Sequence, residues 1–239
     1  MNDHAGRCSD PATTAAAIVL AGGRSQRLGG ESLGPGGKAA VALAGRTFLE
    51  AVCDTLAPEV ARVIVVAAPD QKLPAVPAGV EIVRDGTPGE GPLAGLRDGL
   101  RHLAVTAHQA GVARPATDAV VVCSCDVPLL RPPLVRRLVA RLVESRSPWA
   151  VPVVAGHPQV LVSAVRPAIL PRLEAHLAAG RRDLRGLLET LAGEPAGVAW
   201  ITEPEVAEVD PGLESFLDVD TPADLDRLSH HESRLRRRD

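Results

Sequence analysis

Three cations stand in a stretch otherwise dominated by glycine and small residues: Arg24, Arg27 and Lys38 within LAGGRSQRLGGESLGPGGK, residues 20–38. Glycine-rich backbone leaving a strand presents N–H groups to an anion, and guanidinium and ammonium groups add charge, so the combination suits a triphosphate. Leu20, Ala21, Gly22 and Gly23 would form the first turn of such a cradle, and Lys38 a phosphate contact at its far end. Two familiar phosphate loops do not fit. The glycines come in pairs (Gly22–Gly23, Gly29–Gly30, Gly36–Gly37), which breaks G-x-G-x-x-G. The ribose-binding acid expected about 20 residues later is also missing. In the P-loop register Ser32 replaces the first glycine, and Ala39 follows Lys38 where a hydroxyl should stand.

Carboxylates complete the set. Asp126 follows an apolar run in CSCDVPLL, 123–130. A carboxylate there, beside a triphosphate loop, can hold Mg²⁺; its competing role is a helix N-cap. Asp218 and Asp220 lie two apart in FLDVDTPADL, 216–225, and on a strand would share one face. One of them could complete a metal site with Asp126, or Asp220 could merely support a helix beginning at Thr221. Asp85 opens DGTPGEGPLAGL, 85–96, a loop leading to a helix that starts at Pro92. It can face a nucleoside or simply make a turn. His157–Pro158 reads as a structural turn. Cys123 and Cys125 form C-x-C without a second pair or a suitably spaced His, so they read as small strand residues rather than zinc ligands.

Positioning these groups requires a sheet. Val- and Ile-rich runs at 16–20, 62–67, 80–83 and 119–123 predict buried strands, and 151–154, 160–163, 198–201 and 216–219 predict more. Helices are expected at 47–56, 92–103, 133–144, 167–178, 184–191 and 221–228, the last with Thr221 as N-cap, Pro222 at N1 and Asp224 as capping-box acid. This alternation implies an α/β fold: a single-domain, mostly parallel, Rossmann-like sheet with helices on both faces. The domain would span 15–228, between a disordered tail at 1–14 and a basic tail at 229–239.

Composition narrows the classes. The 239 residues are 46% hydrophobic with a formal charge of −3, which excludes disorder and gives no overall basic field for nucleic acid. With no Tyr, two Phe and two Trp, aromatic platforms for single strands are lacking as well. No apolar run reaches the ~18 residues of a membrane span. The N-terminus lacks a signal-peptide pattern, so a cytoplasmic protein, monomeric or weakly oligomeric, is expected.

Five segments together resemble bacterial molybdenum cofactor guanylyltransferase, in order and over about residues 16–228. L-A-G-G with Arg27 and Lys38 resembles its phosphate loop, 85–96 its D…P-G-x-G-P-L-A-G stretch, and 123–130 its Cys-x-Cys-Asp-x-Pro segment. Residues 157–191 follow its His-Pro turn, strand and paired helices, and 216–225 takes the place of its terminal Asn-x-Asn-Thr-Pro motif. The resemblance implies GTP as donor, molybdopterin as acceptor and Mg²⁺ as cofactor. It implies catalytic roles for Arg27, Lys38 and Asp126, metal binding by Asp126 and Asp220, and nucleotide contacts from Leu20, Ala21, Gly22, Gly23, Lys38, Asp85 and Asp126. Three departures stand out: an insertion before Lys38, Val66-Ala67-Ala68 where the family carries an amide, and Asp218 and Asp220 in place of Asn. Relatives that use CTP or other acceptors, or that bind nucleotide without turnover, are the alternatives.

Overall fold

The computed structural model describes residues 15–22, 35–87, 89–109, 117–219, 221 and 223–228. Gly23, Arg24, Arg27, Asp220, Pro222 and both expected tails lie outside the described residues. The strands are β1 (Ala16–Leu20), β2 (Ala42–Leu43), β3 (Arg46–Thr47), β4 (Arg62–Ala67), β5 (Glu81–Arg84), β6 (Val120–Ser124), β7 (Trp149–Val154), β8 (His157–Pro158), β9 (Val162–Val165) and β10 (Ala199–Ile201). The helices are α1 (Phe48–Leu56), α2 (Pro92–Gln109), α3 (Pro132–Glu144), α4 (Leu170–Ala178), α5 (Leu184–Ala192) and α6 (Glu203–Ala207). A further helix covers 223–228.

The main sheet runs β5-β4-β1-β6-β9-β7-β10, with β8 paired to β7. β1 is parallel to both β4 and β6, and β4 is parallel to β5. β9 runs antiparallel between β6 and β7. The sheet is mixed and mostly parallel, as the alternation of elements implies.

Side chains of β1 alternate between two cores, which is why its five residues are all apolar. Ala17 and Val19 join Leu49, Val52, Leu134 and Leu138 of α1 and α3 on one face. Ala16, Ile18 and Leu20 join Leu93, Leu96, Leu100, Leu173 and Leu187 of α2, α4 and α5 on the other. The helix α2 sits unusually close. A β-carbon on Gly99 would lie 2.8–3.0 Å from three side-chain carbons of Ile18, so a larger residue there would force Ile18 or the helix to shift. α1 begins with a full capping box, Thr47 Oγ1 accepting from Glu50 N–H while Glu50 accepts from Thr47 N–H, an arrangement worth about 1 kcal/mol.

Two expectations change. The strand expected at 216–219 is absent; Glu214–Phe216 forms a 3-10 turn instead. Buried Asp210 fixes the preceding turn by accepting the N–H groups of Glu214 (3.1 Å) and Ser215 (2.9 Å), and the N–H groups of Phe216, Leu217 and Asp218 then turn back to the carbonyls of Leu213, Glu214 and Phe216 (3.1 Å each), leaving none of the three for a ladder. The strand expected at 160–163 starts two residues later, because Gln159 and Val162 close a turn first. The helix after Thr221 keeps its expected cap: Asp224 N–H donates to Thr221 Oγ1 at 3.2 Å, and Thr221 N–H to Asp224 Oδ2 at 2.7 Å. Among the described residues no helix is long and apolar enough to cross a membrane.

Candidate active site

The chain leaves β1 toward β4 on one side and returns as β6 on the other, so the carboxyl end of β1 is a topological switch point where open α/β sheets bind ligands. Backbone hydrogen bonds carry the pairing past the strand ends. Cys125 N–H donates to Leu20 C=O (3.1 Å), and Ala21 and Gly22 N–H donate to Val66 C=O (2.8 and 3.3 Å). These two N–H groups are therefore spent inside the protein, and phosphate-directed donors of the glycine stretch would have to come from residues beyond Gly22. Leu20 and Ala21 form the buried floor of this edge.

Asp126 follows at once on the β6 side. Its carboxylate meets Lys38, which the chain places 88 positions away, with Nζ donating to Oδ2 at 2.9 Å. The lysine stands in a 3-10 turn, Gly37–Ala40, anchored by fully buried Ala39. Only 15% of the Lys38 side chain and 17% of the Asp126 side chain are exposed, so the pair is largely withdrawn from solvent. The insertion before Lys38 therefore does not displace the lysine into solvent. The contact brings a cation and a carboxylate to the carboxyl edge between β1 and β6, the place where open α/β sheets bind ligands.

The terminal segment also returns here. Val219 N–H donates to Asp126 C=O at 3.3 Å, and the preceding turn is moored to the start of α3 by Arg131 N–H on Ser215 Oγ (3.0 Å) and Arg131 Nη1 on Glu214 (3.1 Å). Asp218 is exposed, and Asp220 lies outside the described residues. Among the described residues no cluster of three or more His, Cys, Asp or Glu could hold a metal by itself. Mg²⁺ does not need one, because it binds through one or two carboxylates plus substrate phosphates. Asp126, on rigid backbone with the terminal segment beside it, fits that mode.

Asp85 behaves differently. Its N–H continues the sheet by donating to Ala67 C=O (2.8 Å), and its Oδ1 accepts Thr87 N–H at 2.8 Å, closing an Asx turn. Asp98 of α2 accepts Gly86 N–H (2.8 Å), and Arg97 joins Asp98 to Thr87. His157 is exposed in the β7–β8 hairpin, in keeping with a structural turn. Cys123 lies inside β6 and Cys125 just after it, both buried, with burial pushing both thiols far up; Cys53 is pushed up to about 12 for the same reason, Asp54 adding to it. They are packing residues.

One residue of this edge escapes a sequence reading. Gln71, in the turn after β4, places its carboxamide between Ala21, Gly36 and Ala68. The sequence offers little signal for it, a lone Gln in PDQK. Its amide occupies the neighbourhood where the family's amide is missing, yet both its N–H groups are spent on backbone carbonyls.

Comparison with known proteins gives a consistent answer. Residues 17–196 match the MobA-like NTP transferase domain. A probable molybdenum cofactor guanylyltransferase of Mycobacterium avium (strain 104) is 37% identical over 181 residues, covering 73% of this chain and 80% of the relative. Among solved structures, molybdopterin-guanine dinucleotide biosynthesis protein A from Archaeoglobus fulgidus superimposes with a TM-score of 0.71 at 22% identity, covering 92% of this chain and 99% of that one. A Mycobacterium tuberculosis H37Rv protein crystallised in complex with manganese shares the fold at a TM-score of 0.57 and 18% identity, over 91% of this chain and 99% of that one.

Proposed function

Since the chain belongs to the MobA-like NTP transferase family and is a nucleotidyltransferase of that family, we propose that it transfers GMP from GTP to the terminal phosphate of molybdenum-bound molybdopterin and releases pyrophosphate. The observation that carries the reading is the Lys38–Asp126 pair at the carboxyl edge between β1 and β6. The names of the sequence relative and of the Archaeoglobus structure support guanine and molybdopterin.

In the reaction an acceptor phosphate oxygen forms a bond to the α-phosphorus, and the bond from that phosphorus to the oxygen bridging to the β-phosphate breaks. A phosphate monoester has its second pKa near ~6, so the nucleophile is already dianionic at neutral pH and no general base is needed. What the site must supply is orientation and countercharge. Lys38 and Arg27 would meet the phosphates, while Leu20, Ala21, Gly22, Gly23 and Asp85 would border the nucleoside. Asp126, with Asp220, would hold Mg²⁺, whose charge opposes that gathering on the phosphates. The manganese bound by the Mycobacterium tuberculosis protein supports a divalent cation here.

A thermal-shift panel of GTP, CTP, ATP and UTP with Mg²⁺ tests the donor, because a ligand that binds only the native state stabilises it, by about 2.7 kcal/mol at a hundred times its Kd. GTP should give the largest shift. A larger shift with CTP would replace guanylyl by cytidylyl transfer.

A further inference from the structure

We infer that Gln71 is the positioning residue for Lys38, its carboxamide fixing the backbone from which the lysine reaches Asp126 and the triphosphate. The triphosphate half of this statement rests on the nucleotidyl-transfer reading; the positioning half does not.

The carboxamide joins three segments. Nε2 donates to Ala21 C=O at 3.0 Å and to Gly36 C=O at 2.9 Å, and Oε1 accepts Ala68 N–H at 3.2 Å. A primary amide has two N–H donors, and both are used on carbonyls of different segments. Gly36 lies two residues before Lys38. The same turn grips the lysine segment a second time, through Lys72 N–H on Pro35 C=O at 3.0 Å. Gly36 is buried so tightly that a β-carbon there would lie 2.5 Å from Ala40 Cβ and 3.0 Å from Lys72 C=O. The turn is itself braced from β5, where Arg84 Nη1 donates to Ala68 C=O (3.0 Å) and Gln71 C=O (2.9 Å).

A physical consequence follows for the insertion. Loop length alone costs little, since closure entropy grows only with its logarithm. Yet a longer loop by itself gives Lys38 no fixed origin. The clip provides one from outside the loop, tying Pro35 and Gly36 to the β4–β5 turn so that the lysine's place is independent of how much chain precedes it. Of the positions assigned to the nucleotide Gln71 also meets Ala21, at its backbone carbonyl, and the inference is that it acts on the triphosphate through Lys38.

The chain's two lysines, Lys38 and Lys72, make a direct test possible. Lys38 is mostly buried in its ion pair and Lys72 is exposed, so mass spectrometry of brief amine acylation reads the first against the second. In the full chain, Gln71→Met removes both donors at nearly constant volume, and Gln71→Glu removes them while keeping an acceptor for Ala68. Lys38 acylation, relative to Lys72, should rise about tenfold in both, the effect of losing one or two hydrogen bonds. The Kd for GTP should rise by a similar factor. In a Lys38→Ala background the same substitutions should change that Kd less than about twofold, because the two residues form one unit. Unchanged Lys38 reactivity in a folded variant overturns the inference. So does a GTP effect that persists without Lys38, or unfolding of both variants, which would make Gln71 a support of the fold. Should the parent protein bind no triphosphate, the transfer reading falls while acylation still decides the positioning role.

Discussion

Two stretches of the same sheet edge use their polar groups in opposite ways. The loop from β5 into α2 spends most of its charges on its own shape, Asp85 on Thr87 and Asp98 on Gly86 and Arg97, while Glu90 reaches out to exposed Arg182 of the α4–α5 loop. Arg182, then Thr87, even holds the Glu90 carboxyl below the usual carboxylate range. In the crevice between β1 and β6, Lys38 and Asp126 come from segments 88 positions apart and meet across it. A mostly local network rigidifies a wall. A long-range pair of opposite charges, drawn out of water where strands end, equips a site for phosphate and cation. On the proposed reading the crevice carries the chemistry, and the loop, apart from Asp85 bordering the nucleoside, supplies shape.

Substitutions that strike the crevice should then cost turnover, and those in the loop should cost stability. The largest effect is expected from Asp126→Asn. Loss of the carboxylate weakens cation binding and strands charge on the phosphates, so pyrophosphate release should fall by roughly 10³-fold. Melting temperature should shift by only a few degrees, since a neutral amide can still meet Lys38. Lys38→Ala comes next, with kcat/KM for GTP reduced about 10²-fold, because a charge-assisted contact to phosphate is worth on the order of 1.5–3 kcal/mol. If the enzyme tolerates both changes, the crevice is not the site.

Donor choice sharpens the comparison further. Val66, Ala67 and Ala68 offer no side-chain amide, and Gln71 has none to spare. One base-edge hydrogen bond is worth about 0.5–1.5 kcal/mol, so GTP should lead CTP in kcat/KM by a margin about tenfold narrower than in an enzyme carrying that amide. Steady-state kinetics with both donors measures it, and a lead for CTP would reassign the donor. The smallest catalytic effect is expected from Asp98→Ala. It frees Gly86 N–H and Arg97, costing about 1–2 kcal/mol in denaturant unfolding but no more than about threefold in kcat. A large loss of kcat at wild-type stability would move chemistry into the loop.

Much of this arrangement is legible in the residues. β1, β4 and β6 are Val-, Ile- and Ala-rich because both faces are covered, and that pattern exposes them in the sequence. Asp126 is legible because it directly follows such a run. Its partner is not: nothing local ties Lys38 to a carboxylate 88 positions on, and it takes the β1–β6 pairing and the turn after β4 that holds Pro35 and Gly36 to bring them together. The terminal strand misleads because Phe216–Val219 has strand composition, while the N–H groups of Phe216, Leu217 and Asp218 turn back to nearby carbonyls in a turn fixed by buried Asp210. α2 runs on to Gln109, past its last buried leucine, Leu103, as Thr106 turns its hydroxyl back to His102 C=O at 2.9 Å. Periodicity ends with the buried face, whereas the helix ends later.

Transfer of label from GTP carrying a radioactive α-phosphate to molybdenum-bound molybdopterin, with pyrophosphate measured alongside, tests the central claim most directly. The wild-type chain with Mg²⁺ should place one labelled GMP on the acceptor for each pyrophosphate released, and Asp126→Asn, still folded, should fall to near background. Pyrophosphate without labelled acceptor, or transfer by Asp126→Asn within a few-fold of wild type, would contradict it.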